Sequence, residues 1–130
     1  MSARGDNGLG WLAALRHSWA GLRHALAHER PVRHEALALA LAVPLAPFLA
    51  SSALHAILLV GTLLLAIAVE LLNVAIETVC DRLTTERDPA IKIAKDCGSA
   101  AVALTILLAA LVWGEAAWRA LGWALGRASG

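Results

Sequence analysis

The spacing of apolar residues along the chain changes several times and predicts four helical stretches. In the first, from about residue 9 to 29, apolar residues recur every three or four positions, and most arginines and histidines fall on the opposite side. These apolar residues are Trp11, Leu12, Leu15, Trp19, Leu22 and Leu26. On a helix they form a stripe about 100° wide. Tryptophans on one side and basic residues on the other are typical of an amphipathic helix in a membrane interface.

Three longer apolar segments follow, at about 32–50, 54–82 and 91–118, and they predict three membrane-spanning helices. They favour the interfacial position of the first helix over the alternative, a surface helix of a soluble bundle. Pro44 and Pro47 predict that the first span is kinked or short. We therefore expect an all-α fold: a three-span transmembrane helix bundle with an N-terminal interfacial helix, in one membrane-embedded domain.

The composition agrees with a chain that lies largely in lipid. Of the 130 residues, 59% are hydrophobic and 16% are charged, whereas soluble domains carry about 25% charged residues. The formal net charge of +1 gives no electrostatic preference for nucleic acid. Because Cys80 and Cys97 belong to no CxxC motif or Cys/His cluster, we expect two free thiols and neither a disulfide nor a zinc site.

The positions of the basic residues predict the orientation in the membrane. Lysines and arginines are concentrated before residue 36 and between residues 82 and 95, and the turn at residues 51–55 has none. Because loops rich in lysine and arginine stay in the cytoplasm, the N-terminus and the 82–95 loop are expected there. Three spans then place the C-terminus on the opposite side.

One apolar helix carries four polar residues at spacings of three, four and four: Glu70, Asn73, Glu77 and Asp81. At 100° per residue they fall on one stripe about 80° wide. A carboxylate within the bilayer costs several kcal/mol, so the stripe is expected to face a partner, a cavity or a bound cation. The alternative is that it only forms hydrogen bonds with neighbouring helices.

A second polar cluster begins the third span and contains Lys92, Lys95, Asp96 and Ser99. It lies on the same membrane side as Glu77 and Asp81, so a lysine can stand opposite a pair of carboxylates at one depth. Carboxylates that bind Mg²⁺, together with a lysine that receives phosphate, are the minimum apparatus for phosphoryl transfer. The sequence has neither a G-x-x-x-x-G-K-[ST] motif nor a kinase glycine-rich loop.

Three sequence motifs in this order resemble the small prokaryotic membrane lipid kinases, the family of diacylglycerol kinase and undecaprenol kinase. They are SWAGLRHALAHERPVRHE at residues 18–35, ELLNVAIETVCD at 70–81 and AKDCGSAAV at 94–102. The resemblance extends over about residues 11–114. It implies a homotrimer of three-span protomers in the bacterial inner (cytoplasmic) membrane, with a periplasmic C-terminus. It also implies ATP-dependent phosphorylation of a lipid hydroxyl at the cytoplasmic interface.

The resemblance implies roles for the residues that match the family's motifs. Glu70 corresponds to the general base, which takes the proton of the lipid's primary hydroxyl as that hydroxyl attacks the γ-phosphate. Glu29 and Glu77 correspond to the ligands that hold Mg²⁺ against the ATP phosphates. Asn73 would orient the site by hydrogen bonds.

The resemblance assigns further residues to ATP and to the lipid. Lys95 and Asp96 would hold the phosphate and ribose parts of ATP, and Glu86 is a candidate contact of the adenosine. Glu35 and Ser99 are further candidate contacts of the lipid. Without the resemblance, Glu29 would be interpreted as a charged residue in water.

This chain departs from the family pattern at three peripheral positions. Gly10 stands where the family usually has an arginine, which leaves a substrate or ATP contact absent or supplied by Arg4 or Arg16. His17 replaces a common tyrosine and can still stack on the nucleotide or form a hydrogen bond with it. Val74 replaces a small hydroxyl residue. The acidic stripe and the AKD motif are intact.

Two sequence segments bear on which lipid is the substrate. The sequence around Ser18 and Trp19 and the GSAAV segment favour diacylglycerol over undecaprenol. A hypothesis of a different class is a small ion-coupled membrane protein, in which the carboxylates of the stripe relay protons and no ATP is needed. A structural assembly factor is a third hypothesis, and it predicts that Glu70→Gln has no effect.

Overall fold

The computed structural model describes residues 10–83 and 88–128, and within these ranges the chain forms four α-helices and no strand. They are α1 (Gly10–His28), α2 (Arg30–Leu49), α3 (Ala53–Leu83) and α4 (Pro89–Ala128). The prediction of an all-α fold is confirmed. The helices α2, α3 and α4 are each long and apolar enough to cross a membrane, as the sequence predicted.

The corner between α1 and α2 is formed by a single residue, Glu29. Its backbone is extended, with φ −102° and ψ 117°, and Pro31 follows in the first turn of α2, where the missing N–H group is tolerated. The Arg33 guanidinium reaches back from α2 and donates hydrogen bonds to the carbonyl oxygens of Leu26 and Ala27, at 3.3 and 3.0 Å. Arg33 thereby caps the end of α1 and fixes the corner that carries Glu29.

The prolines of the first span do not shorten it. α2 continues through Pro44 and Pro47 and has 20 residues, a length of about 30 Å, which matches the hydrocarbon thickness of a bilayer. At the start of α3 the Ser52 hydroxyl oxygen accepts a hydrogen bond from the His55 backbone N–H at 3.1 Å. This contact satisfies one of the free N–H groups of the first turn.

α4 is longer than the expected segment 91–118. Asp88 caps its start, since Oδ1 accepts hydrogen bonds from the backbone N–H groups of Ala90 and Ile91. The helix then runs for 40 residues, about 60 Å at 1.5 Å per residue. No proline interrupts residues 115–128, and alanines and leucines that favour a helix surround Gly122 and Gly126, so the helix continues past the end of the apolar run.

α3 is the central helix and packs against α2 and α4 along its length. A cluster of buried apolar residues lies near its N-terminal end, where Ala46, Leu59 and Ala116 come from three different helices and are fully buried. Many large apolar side chains of α2, α3 and α4 remain exposed, among them Leu37, Leu41, Phe48, Ile57, Leu72, Leu104 and Leu111. Such a surface needs lipid or protein around it.

Candidate active site

The polar stripe of α3 faces the interior of the bundle. Glu70 and Asn73 are buried, with 5% and 8% of their surface exposed, while Glu77 is half-buried and Asp81 is exposed. Solvent exposure along the stripe therefore increases over about three helical turns, from the buried carboxylate of Glu70 to the exposed carboxylate of Asp81. A substrate group that reaches Glu70 must come from the lipid side or through a gap between helices.

Glu70 lies in a cluster of carboxylates from three parts of the chain. The negative charges of Glu77, on the same helix, and of Glu29, at the α1–α2 corner, act on it. Glu35 of α2 is close enough to interact with Glu70 in the same way. Carboxylates at such distances repel one another unless a cation or a proton lies among them.

The donor set of this cluster fits a magnesium ion. Mg²⁺ prefers carboxylate oxygens, and in phosphoryl-transfer sites it is held by one or two carboxylates together with phosphate oxygens and water. Within the described residues no three His, Cys, Asp or Glu side chains are placed to hold a metal ion on their own. One oxygen of the Glu35 carboxylate, Oε2, is buried and has no hydrogen-bond partner. The arrangement suits a metal that shares its coordination with a ligand.

Asn73 lies between Glu70 and Glu77 on the stripe and holds the Glu77 side chain. Its amide Nδ2 donates a hydrogen bond to Glu77 Oε1 at 3.4 Å. The amide oxygen, Oδ1, is buried and has no hydrogen-bond partner. The Asn73 amide is thus held on one side only, by the Glu77 carboxylate, which the family resemblance assigns to the metal.

The lysine of the AKD motif faces the stripe across the α3–α4 interface. Lys95 Nζ lies 2.9 Å from Asp81 Oδ1, and the charge of Glu77 also acts on it. The structure therefore places a cation and carboxylates at one depth. The spacing of four residues between Glu77 and Asp81 predicted this pair of carboxylates on one side of α3, and Asp81 is the one that contacts Lys95.

Asp96 is engaged with a residue of its own helix. It forms an ion pair with Lys92 one turn earlier, and both side chains are exposed. The ion pair leaves the Asp96 carboxylate accessible from solvent, although its present partner is a lysine and not a ligand.

The structure does not bring all of the predicted residues to the carboxylate cluster. His17 is exposed on α1 and lines a shallow depression of about 430 Å³ with Arg16 and Trp19. Ser99 is exposed on α4. Glu86 lies outside the described residues.

Comparison with known proteins identifies the family. A family model for prokaryotic diacylglycerol kinase matches residues 16–116. The diacylglycerol kinase of Escherichia coli K12 is 40% identical over 111 residues, which are 85% of this chain and 91% of the relative.

Two further relatives are also diacylglycerol kinases. That of Haemophilus influenzae is 40% identical over 99 residues, covering 76% of this chain and 84% of the relative. That of Pseudomonas aeruginosa is 43% identical over 98 residues, covering 74% and 80%. A match of this extent includes the corner at Glu29, the stripe of α3 and the AKD motif, and the chain belongs to the prokaryotic diacylglycerol kinase family.

Proposed function

We propose that this protein is an ATP-dependent kinase that phosphorylates the primary hydroxyl of diacylglycerol to give phosphatidic acid. The observation that carries the proposal is the cluster of Glu70, Glu29 and Glu77 beside Lys95, built into an otherwise apolar bundle. Family membership and the names of the relatives support diacylglycerol as the lipid. Undecaprenol is not favoured by these relatives.

In the proposed reaction Glu70 is the general base. Its carboxylate takes the proton of the lipid hydroxyl as the hydroxyl oxygen forms a bond to the γ-phosphorus of ATP. The bond between that phosphorus and the oxygen bridging to the β-phosphate breaks, and ADP leaves. The phosphoryl group ends on the lipid and the proton on Glu70. The buried position of Glu70 suits a hydroxyl held at the boundary between lipid and water.

Glu29 and Glu77 are the residues that would hold Mg²⁺, which, when bound, neutralises the charge of the ATP phosphates. Asn73 keeps the Glu77 side chain in place through its hydrogen bond. Lys95 adds a positive charge at the same depth, and its ion pair with Asp81 limits the positions that the ammonium group can take.

Further residues are proposed to bind ATP and the lipid. Lys95 and Asp96, with Glu86 and His17, bind ATP at the cytoplasmic surface, and Glu35 and Ser99 contact the lipid. The site lies at the inner membrane with the N-terminus in the cytoplasm and the C-terminus in the periplasm. The concentration of lysine and arginine before residue 36 and in the 82–95 loop supports this orientation.

We also propose that the protein is a homotrimer with α1 in the membrane interface. Exposed leucines and a phenylalanine on α2 and α4 leave broad apolar surfaces that neighbouring protomers and lipid can cover. On α1 the exposed Trp11, Leu15 and Trp19 support contact with the membrane interface.

The test is transfer of labelled phosphate from ATP in mixed micelles with Mg²⁺, with diacylglycerol and undecaprenol offered in parallel. We expect label in phosphatidic acid and its loss in Glu70→Gln. Glu115→Gln is a matched control, because it removes a carboxylate at the other end of the bundle and should retain activity. Label only in the polyprenol would reassign the substrate, and ion flux without any label would favour the ion-coupled alternative.

A further inference from the structure

Gly98 is a buried glycine in the interior of a long helix, where glycine is unfavourable relative to alanine. Among the glycines of the described residues, it is the only one at which an added Cβ would meet another atom within 4 Å. At Gly61 in α3 and Gly114 in α4 the corresponding space is open. A specific contact therefore requires glycine at position 98.

The contact is with the amide of Asn73 on the facing helix. A Cβ at position 98 would lie 2.3 Å from Asn73 Oδ1 and 3.4 Å from its Cγ. The distance of 2.3 Å is far below any contact that a real Cβ makes, so the amide would have to move. Asn73 is short and buried, so it has little freedom to give way without changing its rotamer.

The direction of the amide follows from its hydrogen bond. Because Nδ2 donates to Glu77 Oε1 at 3.4 Å, Oδ1 must point to the other side, toward the backbone of α4. There Oδ1 is buried and without a hydrogen-bond partner. Only weak contacts with the α4 backbone are open to it, and these require the close approach that a glycine permits.

We propose that Gly98 is a positioning residue for the kinase site. The missing side chain lets the Asn73 amide lie flat against α4, in the one orientation that holds Glu77. This inference rests on the proposed function, in which Glu77 is a magnesium ligand. A methyl group at position 98 turns the amide, releases the Glu77 carboxylate and weakens the binding of the metal with ATP.

The first experiment compares Gly98→Ala with Gly114→Ala, a control on the same helix. We measure kcat, the KM for diacylglycerol and the Mg²⁺ concentration for half-maximal activity in mixed micelles. Since small displacements of positioned groups cost up to about a hundredfold in rate, we expect Gly98→Ala to lower kcat by about tenfold or more. The half-maximal Mg²⁺ concentration should rise and the KM for diacylglycerol should stay unchanged. Gly114→Ala should alter none of the three.

A second experiment measures the contact without using activity. In detergent, Gly98→Ala should lower the thermal unfolding midpoint of the wild-type protein. In an Asn73→Ala background the same change should raise the midpoint, because the clash is absent and alanine favours the helix. If Gly98→Ala alone does not fold, folding of the double variant still demonstrates the contact.

The outcomes separate this inference from the proposed function. Wild-type kcat and Mg²⁺ dependence in Gly98→Ala would overturn the positioning role, and equal midpoint shifts in the two backgrounds would overturn the contact. A lower midpoint with unchanged Mg²⁺ dependence would reduce Gly98 to a packing residue and also overturn the proposal. If the wild-type protein phosphorylates neither lipid, the proposed function fails, while the midpoints still test the contact.

Discussion

The burial of Glu70 combines two unfavourable conditions for a carboxylate. The side chain is removed from solvent, with 5% of the residue exposed, and the like charges of Glu77, Glu29 and Glu35 act in the same region. Neither condition stabilises the fold, because a buried charge without a partner and the repulsion of like charges both cost free energy. A fold that retains such a group does so at the expense of stability, as is common at catalytic sites.

Replacing Glu70 with glutamine should therefore stabilise the protein while abolishing turnover. The amide has the same shape but no charge, so we expect a gain of about 1 kcal/mol in unfolding free energy. Turnover should fall by at least about a hundredfold, because the amide cannot accept the hydroxyl proton. Thermal unfolding in detergent and the phosphate-transfer assay measure the two effects.

Glu70→Asp is the matched control for this prediction. It keeps the charge and shortens the side chain, so it should give no stabilisation. A lower unfolding midpoint for Glu70→Gln than for wild type would show that the Glu70 carboxylate does not destabilise the fold. A cation or a hydrogen-bond donor in the protein would then already stabilise it.

Glu77→Gln should change the Mg²⁺ dependence of activity more than the stability of the fold. The glutamine side-chain oxygen can still accept the Asn73 hydrogen bond, but its neutral amide is a poor ligand for Mg²⁺. We expect the Mg²⁺ concentration for half-maximal activity to rise by about tenfold or more. Glu115→Gln, at the opposite end of the bundle, should leave the titration curve unchanged. Superimposable curves for Glu77→Gln and wild type would remove Glu77 from the metal site.

At the level of single helices, most of the architecture follows from local patterns. The apolar segments predicted the three candidate spans, and a period of 3.6 residues put Glu70, Asn73 and Glu77 on one face of α3. The length of α4 did not follow from hydropathy, because its last turns continue through a segment that carries charge but contains no proline. Hydropathy detects lipid exposure, whereas helix ends depend on backbone breakers.

Contacts between helices could not be predicted in the same way. The sequence predicted a lysine opposite the carboxylates of α3 at one depth. Which carboxylate Lys95 contacts, and the approach of Asn73 to Gly98, depend on the register of α3 against α4, which no local pattern contains. The sequence alone predicts that Glu29 is a charged residue at a corner. Only the family resemblance assigns Glu29 to the site. In the structure its charge reaches Glu70 because the chain breaks at that residue.

Arg33 is the residue that should set the geometry of this corner. Its guanidinium donates to two carbonyl groups at the end of α1, so Arg33→Ala leaves both without this donor. Because these two hydrogen bonds are exposed to solvent, we expect Arg33→Ala to lower the free energy of unfolding by about 1 kcal/mol. A looser corner should also displace Glu29, so the half-maximal Mg²⁺ concentration should rise. Thermal unfolding and magnesium titration test both effects.

Two matched variants check the role of Arg33. Arg33→Lys keeps a charged donor but loses the planar fork, so it should give an intermediate effect. Arg23→Ala removes an exposed arginine of α1 that lies away from the corner and should have no effect. An unchanged magnesium titration in Arg33→Ala would show that α1 holds its position without the cap.

Over the described residues, the polar site and the apolar core cluster of Ala46, Leu59 and Ala116 lie at opposite ends of α3. At the N-terminal end of α3, the Trp113 indole N–H donates to the Leu59 carbonyl at 2.9 Å, and His55 Nε2 lies 3.3 Å from Glu115. The Ser51 backbone N–H donates to His55 Nδ1 at 3.2 Å. These contacts join α3 to α4 far from the carboxylate cluster.

This separation predicts that a substitution in the apolar core cluster lowers stability without changing catalysis. Trp113→Phe removes the hydrogen bond to Leu59 and part of the ring that packs on the core, which should lower stability by about 1–2 kcal/mol. Because the site lies several turns away, kcat and the magnesium titration should stay at wild-type values below the unfolding transition. Trp118→Phe, on an exposed face of the same helix, is the control and should alter neither property. If Trp113→Phe instead shifted the magnesium titration together with the unfolding midpoint, the two ends of the bundle would be coupled, and the register of α3 against α4 would be set jointly by both.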